Sequence, residues 1–383
     1  MDNASFYSRY ASLILRGALS IRKDDVLSIN TEEEDYSFAR IVAQEAKKIT
    51  GNGSYIQLLK NGRVTEEFDI LSDFPLTKRP TLFLYISYYR RSGEVDVNEE
   101  YEARDYQRFF LLSDPVDNPV PSFPFVKCIL PSTLWDESLE NEETGTDSRR
   151  LIEDILSLDE DEYIENTLMR HQNLLYKAKA LNSLELSDGY ISSDEGTDLS
   201  FKFLPLSNFA SSYSRTTDGR YFSPSVTENE IIRLLDPYSL EGWLNISRPV
   251  VLWGRTVRNL SLHFTRGKVD EVRGTREAES LFSFYASREA DASRASMLSL
   301  SEDAHPLSSE DLTLISELDR MRTVSITIGG PRAEAVDDNT RERTVDSLLT
   351  LSLPVGSDSL TVTCLDRNGD ERTVFSDGSI NED

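Results

Sequence analysis

The sequence predicts an α/β protein of two domains: an N-terminal α/β/α domain on a mostly parallel sheet, and a β-rich α/β C-terminal domain. Three observations carry this expectation. The first 130 residues alternate segments of helical and strand periodicity, the pattern of a parallel sheet with helices on its faces. The second half is a series of short strand-like runs with one clear helical pattern among them. The length, 383 residues, exceeds what one hydrophobic core usually organises.

In chain order, residues 6–19 carry Tyr10, Leu13, Ile14 and Gly17 in one helical band, and residues 33–49 carry Phe38, Ile41, Val42 and Ala46 on one stripe. Residues 26–29, 54–58, 81–88, 109–112 and 125–130 read as strands, and Gly51-Asn52-Gly53 as a helix stop and turn. The acidic stretch 137–163 reads as an exposed connection with a short helix, followed by a helix over 164–181 that stops at Asn182. This sets the expected domains at residues 1–180 and 181–383. Further strands are expected at 250–253, 260–264, 269–272, 297–300, 324–328, 348–353 and 360–365, with a helix over 276–286. Pro249 suits the opening of the first of these strands. Asn368-Gly369 between two β-patterned runs signals a hairpin, because both residues tolerate positive φ.

Composition excludes several functions. Forty-one basic against 67 acidic residues give a net charge of −26, a field that repels nucleic acid and anionic membranes, so neither is an expected partner. No stretch approaches the roughly 18–20 consecutive apolar residues of a membrane span. The start, Met1 to Ser5, has no basic and then apolar segment, so a cytoplasmic location is expected. The acidic runs at 31–35 and 159–162 read as solvated faces or helix N-terminal turns. Two cysteines, Cys128 and Cys364, are too few for a disulfide framework or a thiolate zinc site and read as buried thiols. Only three histidines exist: His171, read as a surface helix residue, His263, read as a satisfied strand residue, and His305, read as a loop residue.

The order of short motifs resembles the thermophilic-type metallo-aminopeptidases, the family of aminopeptidases T and S (metallopeptidase family 29). Tyr10-Ala11, Arg16-Gly17-Ala18-Leu19 and Val26-Leu27-Ser28-Ile29 resemble its opening. Leu181-Asn182 and Gly196-Thr197-Asp198-Leu199 resemble its L-N … G-T-D-L passage. Thr227-Glu228-Asn229-Glu230 stands where the family has P-T-E-E, and Gly242, Pro249, Gly254, Phe264 and Gly267-Lys268-Val269 follow its later pattern. The resemblance implies a two-domain, usually dimeric exopeptidase holding two divalent ions in its C-terminal domain. Carboxylates neutralise the ions, imidazoles fix their geometry, and a bridging water becomes the nucleophile.

Carried over motif by motif, the same resemblance implies that most of those ligands are gone. P-T-E-E becomes Val226-Thr227-Glu228-Asn229, leaving Glu228 as the surviving carboxylate, although which acid of 227–230 matches the ligand stays open. The Glu of L-G-E-V-A-L falls at Met297, the His of H-x-A-x-G at Ser325, and both ends of H-x-D at Thr350 and Ser352. The family's tyrosine falls at Arg332, while Gly329 and Gly356 are retained for the backbone. A thioether and hydroxyls are poor ligands for hard divalent ions. The expectation is therefore a catalytically silent aminopeptidase homologue: a pseudoenzyme without cofactor, a homodimer, acting as a binding or scaffolding protein with a peptide or protein partner. The alternative is an active metal-dependent aminopeptidase releasing N-terminal residues with an altered zinc or cobalt site around Glu228.

Other candidates are weaker. No G-x-S-x-G elbow, P-loop or G-x-G-x-x-G is present, although a Ser–His–Asp triad stays open. Asp366-Arg367-Asn368-Gly369-Asp370 imitates the start of a calcium loop but reads as the hairpin turn. Arg248, Arg255, Arg258 and Arg266 suggest either an anion-attracting patch or, more simply, partners for nearby carboxylates.

Overall fold

The computed structural model of the chain describes residues 1–60, 63–70, 79–88, 123–211, 213–252, 255–310, 312–332, 335–356 and 359–382. The strand expected at 109–112, together with Trp253 and Gly254, lies outside the described residues. The chain forms two compact units, Met1–Gln172 with Ser212–Glu228, and Asn173–Ser211 with Asn229–Asp383.

The first unit is built on a five-stranded sheet of β1 (Leu27–Thr31), β2 (Ser54–Lys60), β3 (Arg63–Ile70), β4 (Leu82–Tyr88) and β5 (Phe125–Leu130), in the order β3-β2-β1-β4-β5. The β1–β2, β1–β4 and β4–β5 pairs are parallel, and β3 adds antiparallel to β2. Helix α1 (Asn3–Ser12) opens the chain and continues as a π-helical stretch over Leu13–Ala18, so the predicted single helix changes pitch halfway. Helix α2 (Tyr36–Thr50) buries Phe38, Ala39, Val42, Ala43 and Ala46 and ends at Gly51, whose positive φ of 76° lets its N–H reach the Lys47 carbonyl.

The stretch 137–163 is more than the exposed connection with one short helix that its charge suggests. Helices α3 (Thr133–Asn141) and α4 (Ser148–Ile155) start at the side-chain caps Ser132 and Asp147. Between them they bury Trp135, Leu139, Leu151, Ile152 and Ile155. The acidic residues lie on the outer faces, and the apolar ones between them form the inner face, a pattern that net charge conceals.

The expected boundary after residue 180 also differs from what is observed. It falls inside helix α5 (Tyr163–Ser183), and residues 212–228 return to the first unit. Physical contacts explain the return. The Lys127 N–H donates to the Pro224 carbonyl at 2.8 Å and Ser223 N–H to Ala18 at 2.9 Å. Arg220 grips Asp25 through both Nη atoms at 2.9 and 3.2 Å, and the Phe222 ring lies 5.1 Å from that of Phe125.

Two large antiparallel sheets make up most of the second unit, beside a two-stranded antiparallel ribbon of Val250–Leu252 and Arg255–Val257. The strands of the two large sheets are β6 (Asp188–Ser192), β7 (Asp198–Lys202), β8 (Ala210–Ser211), β9 (Glu230–Leu234), β10 (Glu241–Ile246), β11 (Leu260–Thr265), β12 (Lys268–Arg273), β13 (Ala295–Ser301), β14 (Ser325–Gly329), β15 (Thr350–Pro354), β16 (Thr361–Leu365), β17 (Glu371–Ser376) and β18 (Ser379–Ile380). One sheet runs β12-β11-β10-β7-β6-β16-β17-β18, and the other β15-β14-β13-β9-β8. Helix α6 (Arg276–Ala286) begins at the cap Thr275, whose Oγ1 accepts from Ala278 N–H. A short helix, α7 (Ser316–Arg320), precedes β14. The β16–β17 hairpin turns at the predicted Asn368-Gly369, but only Gly369 takes positive φ, at 83°. Asp366 does the rest: its carboxylate accepts from the N–H groups of Asn368 and Asp370 at 2.8 and 3.1 Å.

Candidate functional site

Antiparallel pairing puts directly opposed residues on the same face of a sheet. Along the five-stranded sheet, Met297 opposes Leu234 and Thr327, and Thr327 opposes Ser352. Ser299 opposes Ile232 and Ser325, Glu230 opposes Ser301, and Gly329 opposes Thr350. The register therefore gathers Met297, Ser325, Thr350 and Ser352 on one face, and adds Glu230 to them. The other face carries Ile231, Leu298, Leu300, Ile326, Ile328 and Leu353, all buried and apolar.

The polar face is closed rather than open to water. Met297, Ser325 and Thr327 are fully buried. Thr327 Oγ1 and Ser352 Oγ share a hydrogen bond of 3.0 Å, and Thr350, exposed at the sheet edge, donates to the Gly330 carbonyl at 2.8 Å. The hydroxyl of Ser325 has no partner. Two glycines keep the neighbouring chain in place. A Cβ on Gly329, at φ 78°, would meet the Leu349 carbonyl oxygen at 2.1 Å, and one on Gly356 would lie 2.6 Å from Arg248 Nε.

Glu230 is the charged centre of this face. Its side chain is 1% exposed and its Oε1 sits 3.0 Å from Arg320 Nε and 2.5 Å from Arg332 Nη1. The Ser299 hydroxyl donates to its Oε2. Burial alone would raise the pKa of this carboxyl. The charges of Arg332 and Arg320 and the Ser299 hydrogen bond more than offset it, holding the group at about 2. The sequence points to Arg332, as the residue at the family's tyrosine position, but not to Glu230 as the hub, nor to Arg320 or Ser299. A signal was present: Glu230-Ile231-Ile232-Arg233-Leu234 is a buried strand, and a glutamate at its start needs a cation beside it.

Glu228 is buried, 3% exposed, and belongs to the first unit. His171 is not on the surface: it is fully buried in the first unit, its ring 5.4 Å from that of Tyr213 and both nitrogens without a hydrogen bond. The helical face opposite its charged neighbours is the buried one, which a single Arg170 beside it disguised. Burial, and then the charge of Arg170, push its pKa down to about 3. His263 Nδ1 pairs with Asp270 Oδ1 at 2.7 Å on the exterior of β11. His305 caps a turn, its Nδ1 accepting from Leu307 N–H at 3.0 Å. Cys128 and Cys364 are buried, and burial pushes the Cys364 thiol up to about 12. The four arginines do not form one patch, since Arg258 and Arg266 flank opposite ends of the six-residue strand β11. Arg248 donates to the Ser308 carbonyl, and Arg255 faces Glu277.

A dinuclear metal site needs several anionic or imidazole ligands converging on two points. Among the described residues no group of three or more His, Cys, Asp or Glu side chains is placed to hold a metal ion. On the polar face, the one carboxylate is already neutralised by two guanidinium groups, and the other side chains are a thioether and hydroxyls. These residues do not fit a pair of divalent ions.

The site thus stands in the second of two α/β units, on an antiparallel sheet with one face that holds a buried carboxylate between two arginines. The chain belongs to the thermophilic metalloprotease (M29) family, whose sequence pattern matches residues 120–380. The fold is similar to that of wild-type AmpT from Thermus thermophilus, with a TM-score of 0.78, 17% identity, and coverage of 99% of this chain and 100% of that one. It is also similar, at a TM-score of 0.56 and 11% identity, to 2,5-dihydroxypyridine dioxygenase from Pseudomonas putida KT2440, covering 100% of this chain and 98% of that one. At these identities the likeness is one of fold. No curated protein matches the sequence. Among the described residues no helix is long and apolar enough to cross a membrane.

Proposed function

We propose that this chain is a catalytically silent member of the M29 family that acts by binding rather than by hydrolysis. The observation that carries this reading is the double ion pair at Glu230. Where the family's chemistry calls for dications against carboxylates, the buried carboxylate here faces Arg320 and Arg332. A guanidinium neutralises charge and fixes geometry, but it offers no open coordination position, so it cannot lower the pKa of a bound water into a nucleophilic range. The fold that positions a substrate is retained while the group that would activate water is not. The dioxygenase likeness supports treating fold and activity separately, since similar folds can carry unrelated chemistry.

The family resemblance adds a homodimer, a peptide or protein partner, and a cytoplasmic location to this proposal. The test is amino-acid release from short peptides by the purified full chain, with and without added zinc or cobalt, alongside elemental analysis of the protein. The proposal expects neither metal in stoichiometric amount nor release above a protein-free control. Metal-dependent release of N-terminal residues would replace it with an active aminopeptidase of altered site.

A further inference from the structure

We propose that Arg332 anchors a carboxylate-binding site, in which the Nε/Nη2 edge of its guanidinium takes the carboxylate of a small acid or of a peptide C-terminus in a two-pronged hydrogen-bonded pair. The inference rests on the binding-protein reading and names the chemistry of its ligand.

The guanidinium of Arg332 has one side committed. Nη1 holds Glu230 Oε1. Nε and Nη2 are both buried from water and make no hydrogen bond. A charged group with unsatisfied buried donors is costly, and native structures rarely leave one without a purpose. The two open nitrogens are also the pair that matters. Nε–H and the neighbouring Nη2–H run nearly parallel along one edge of the planar group, which is the geometry that meets both oxygens of a carboxylate at once. The Arg332 side chain as a whole keeps 15% of its exposure, carried by atoms other than Nε and Nη2.

A second open donor lies on the same face. Ser325 is fully buried and its hydroxyl is unpartnered. It opposes Ser299, the residue that donates to the other oxygen of Glu230. Arg332, Glu230, Ser299 and Ser325 therefore form a continuous polar run with unused donors on either side of the Glu230 carboxylate. Such a run suits an acceptor-only ligand.

Charge selects among anions. Glu230 already shares this guanidinium, and the whole chain carries −26. A planar monoanion meets less repulsion from both than a phosphate dianion does, and it matches the single open edge.

The test is calorimetric titration of the full-length, EDTA-treated chain with N-acetylglycylglycine, with its C-terminal amide, and with inorganic phosphate. The blocked amine removes any contribution from recognition of a peptide N-terminus. The proposal expects the acid to bind and the amide to bind at least about tenfold more weakly, the loss expected when charge-assisted hydrogen bonds are replaced. Arg332→Lys, which retains the charge against Glu230 but lacks the two-pronged edge, should weaken acid binding by a similar factor. Equal binding of acid and amide, binding of phosphate alone, or no binding at all would overturn it. The comparison of acid with amide on the unaltered protein stands even if the variant does not fold. Metal-dependent peptide turnover would defeat the binding-protein reading whatever this titration returns. Absence of carboxylate binding without turnover would defeat only the present inference.

Discussion

Glu230 and His171 are both buried ionisable groups, and they meet burial in opposite ways. Glu230 keeps its charge because Arg320 and Arg332 neutralise it. Its folded pKa of about 2 lies below the ordinary 4.5, so its contribution to stability is complete above pH 4.5 and is lost as the pH falls toward 2. Glu230→Gln would leave two buried guanidinium groups facing a neutral amide. It should destabilise the protein by about 3–5 kcal/mol in urea denaturation at pH 7, the usual result of breaking a buried pair from one side. A loss within the error of the measurement would mean that the arginines do not depend on it. His171 gives up its charge instead, with a folded pKa of about 3 against an ordinary 6.5. The unfolded chain binds a proton below pH 6.5 and the folded chain does not, so stability declines over pH 6.5 to 3 by up to about 1.4 kcal/mol per unit from this group. His171→Leu removes the effect together with two unsatisfied nitrogens. The variant should lose this part of the acid slope, most clearly between pH 6.5 and 4.5 where Glu230 does not yet contribute, while being as stable as the parent at pH 7. An unchanged slope would assign the acid sensitivity to other groups.

At the scale of elements, glycine conformation separates a required residue from a convenient one. Gly329 ends β14 in the left-handed region, with the Leu349 carbonyl where a Cβ would go. Gly369 has a similar φ in the β16–β17 turn and open space around it. Gly369→Ala should therefore cost only the intrinsic strain of an L-residue there, about 1–2 kcal/mol. Gly329→Ala should cost clearly more and loosen the edge of the polar sheet, which thermal unfolding of the two variants would reveal. Equal losses would contradict the close approach at Leu349. Much of this element structure was legible in the sequence. Residues 276–286 form the predicted helix, residues 82–88 the predicted strand, and β14 and β15 lie within about a residue or two of their predicted spans, because apolar periodicity and turn residues act locally. The strands β6, β7, β9 and β10 were not anticipated. In Asp198–Lys202 the outward residues are polar, in Glu241–Ile246 they include Trp243, and both runs are short, so alternation alone is a faint signal. Of the two helices at 133–155 only one short helix was expected, because acidic residues mask their buried apolar faces.

At the scale of the whole molecule, Met297, Ser325, Thr350 and Ser352 were singled out only through motif order, and the sheet register then gathered them on one face. The arginine clamp was not readable, because Glu230, Arg320 and Arg332 are distant in sequence and meet only through β9, α7 and the segment after β14. The return of residues 212–228 to the first unit was invisible for the same reason. Binding to the folded state alone raises stability in proportion to the logarithm of ligand concentration over Kd. Thermal unfolding of the EDTA-stripped full chain across a zinc and then a cobalt series is therefore the most direct test of whether guanidinium groups have taken the place of cations. The account predicts a Tm that does not rise with either metal. A Tm that climbs with metal concentration, together with stoichiometric uptake by the folded protein, would contradict it.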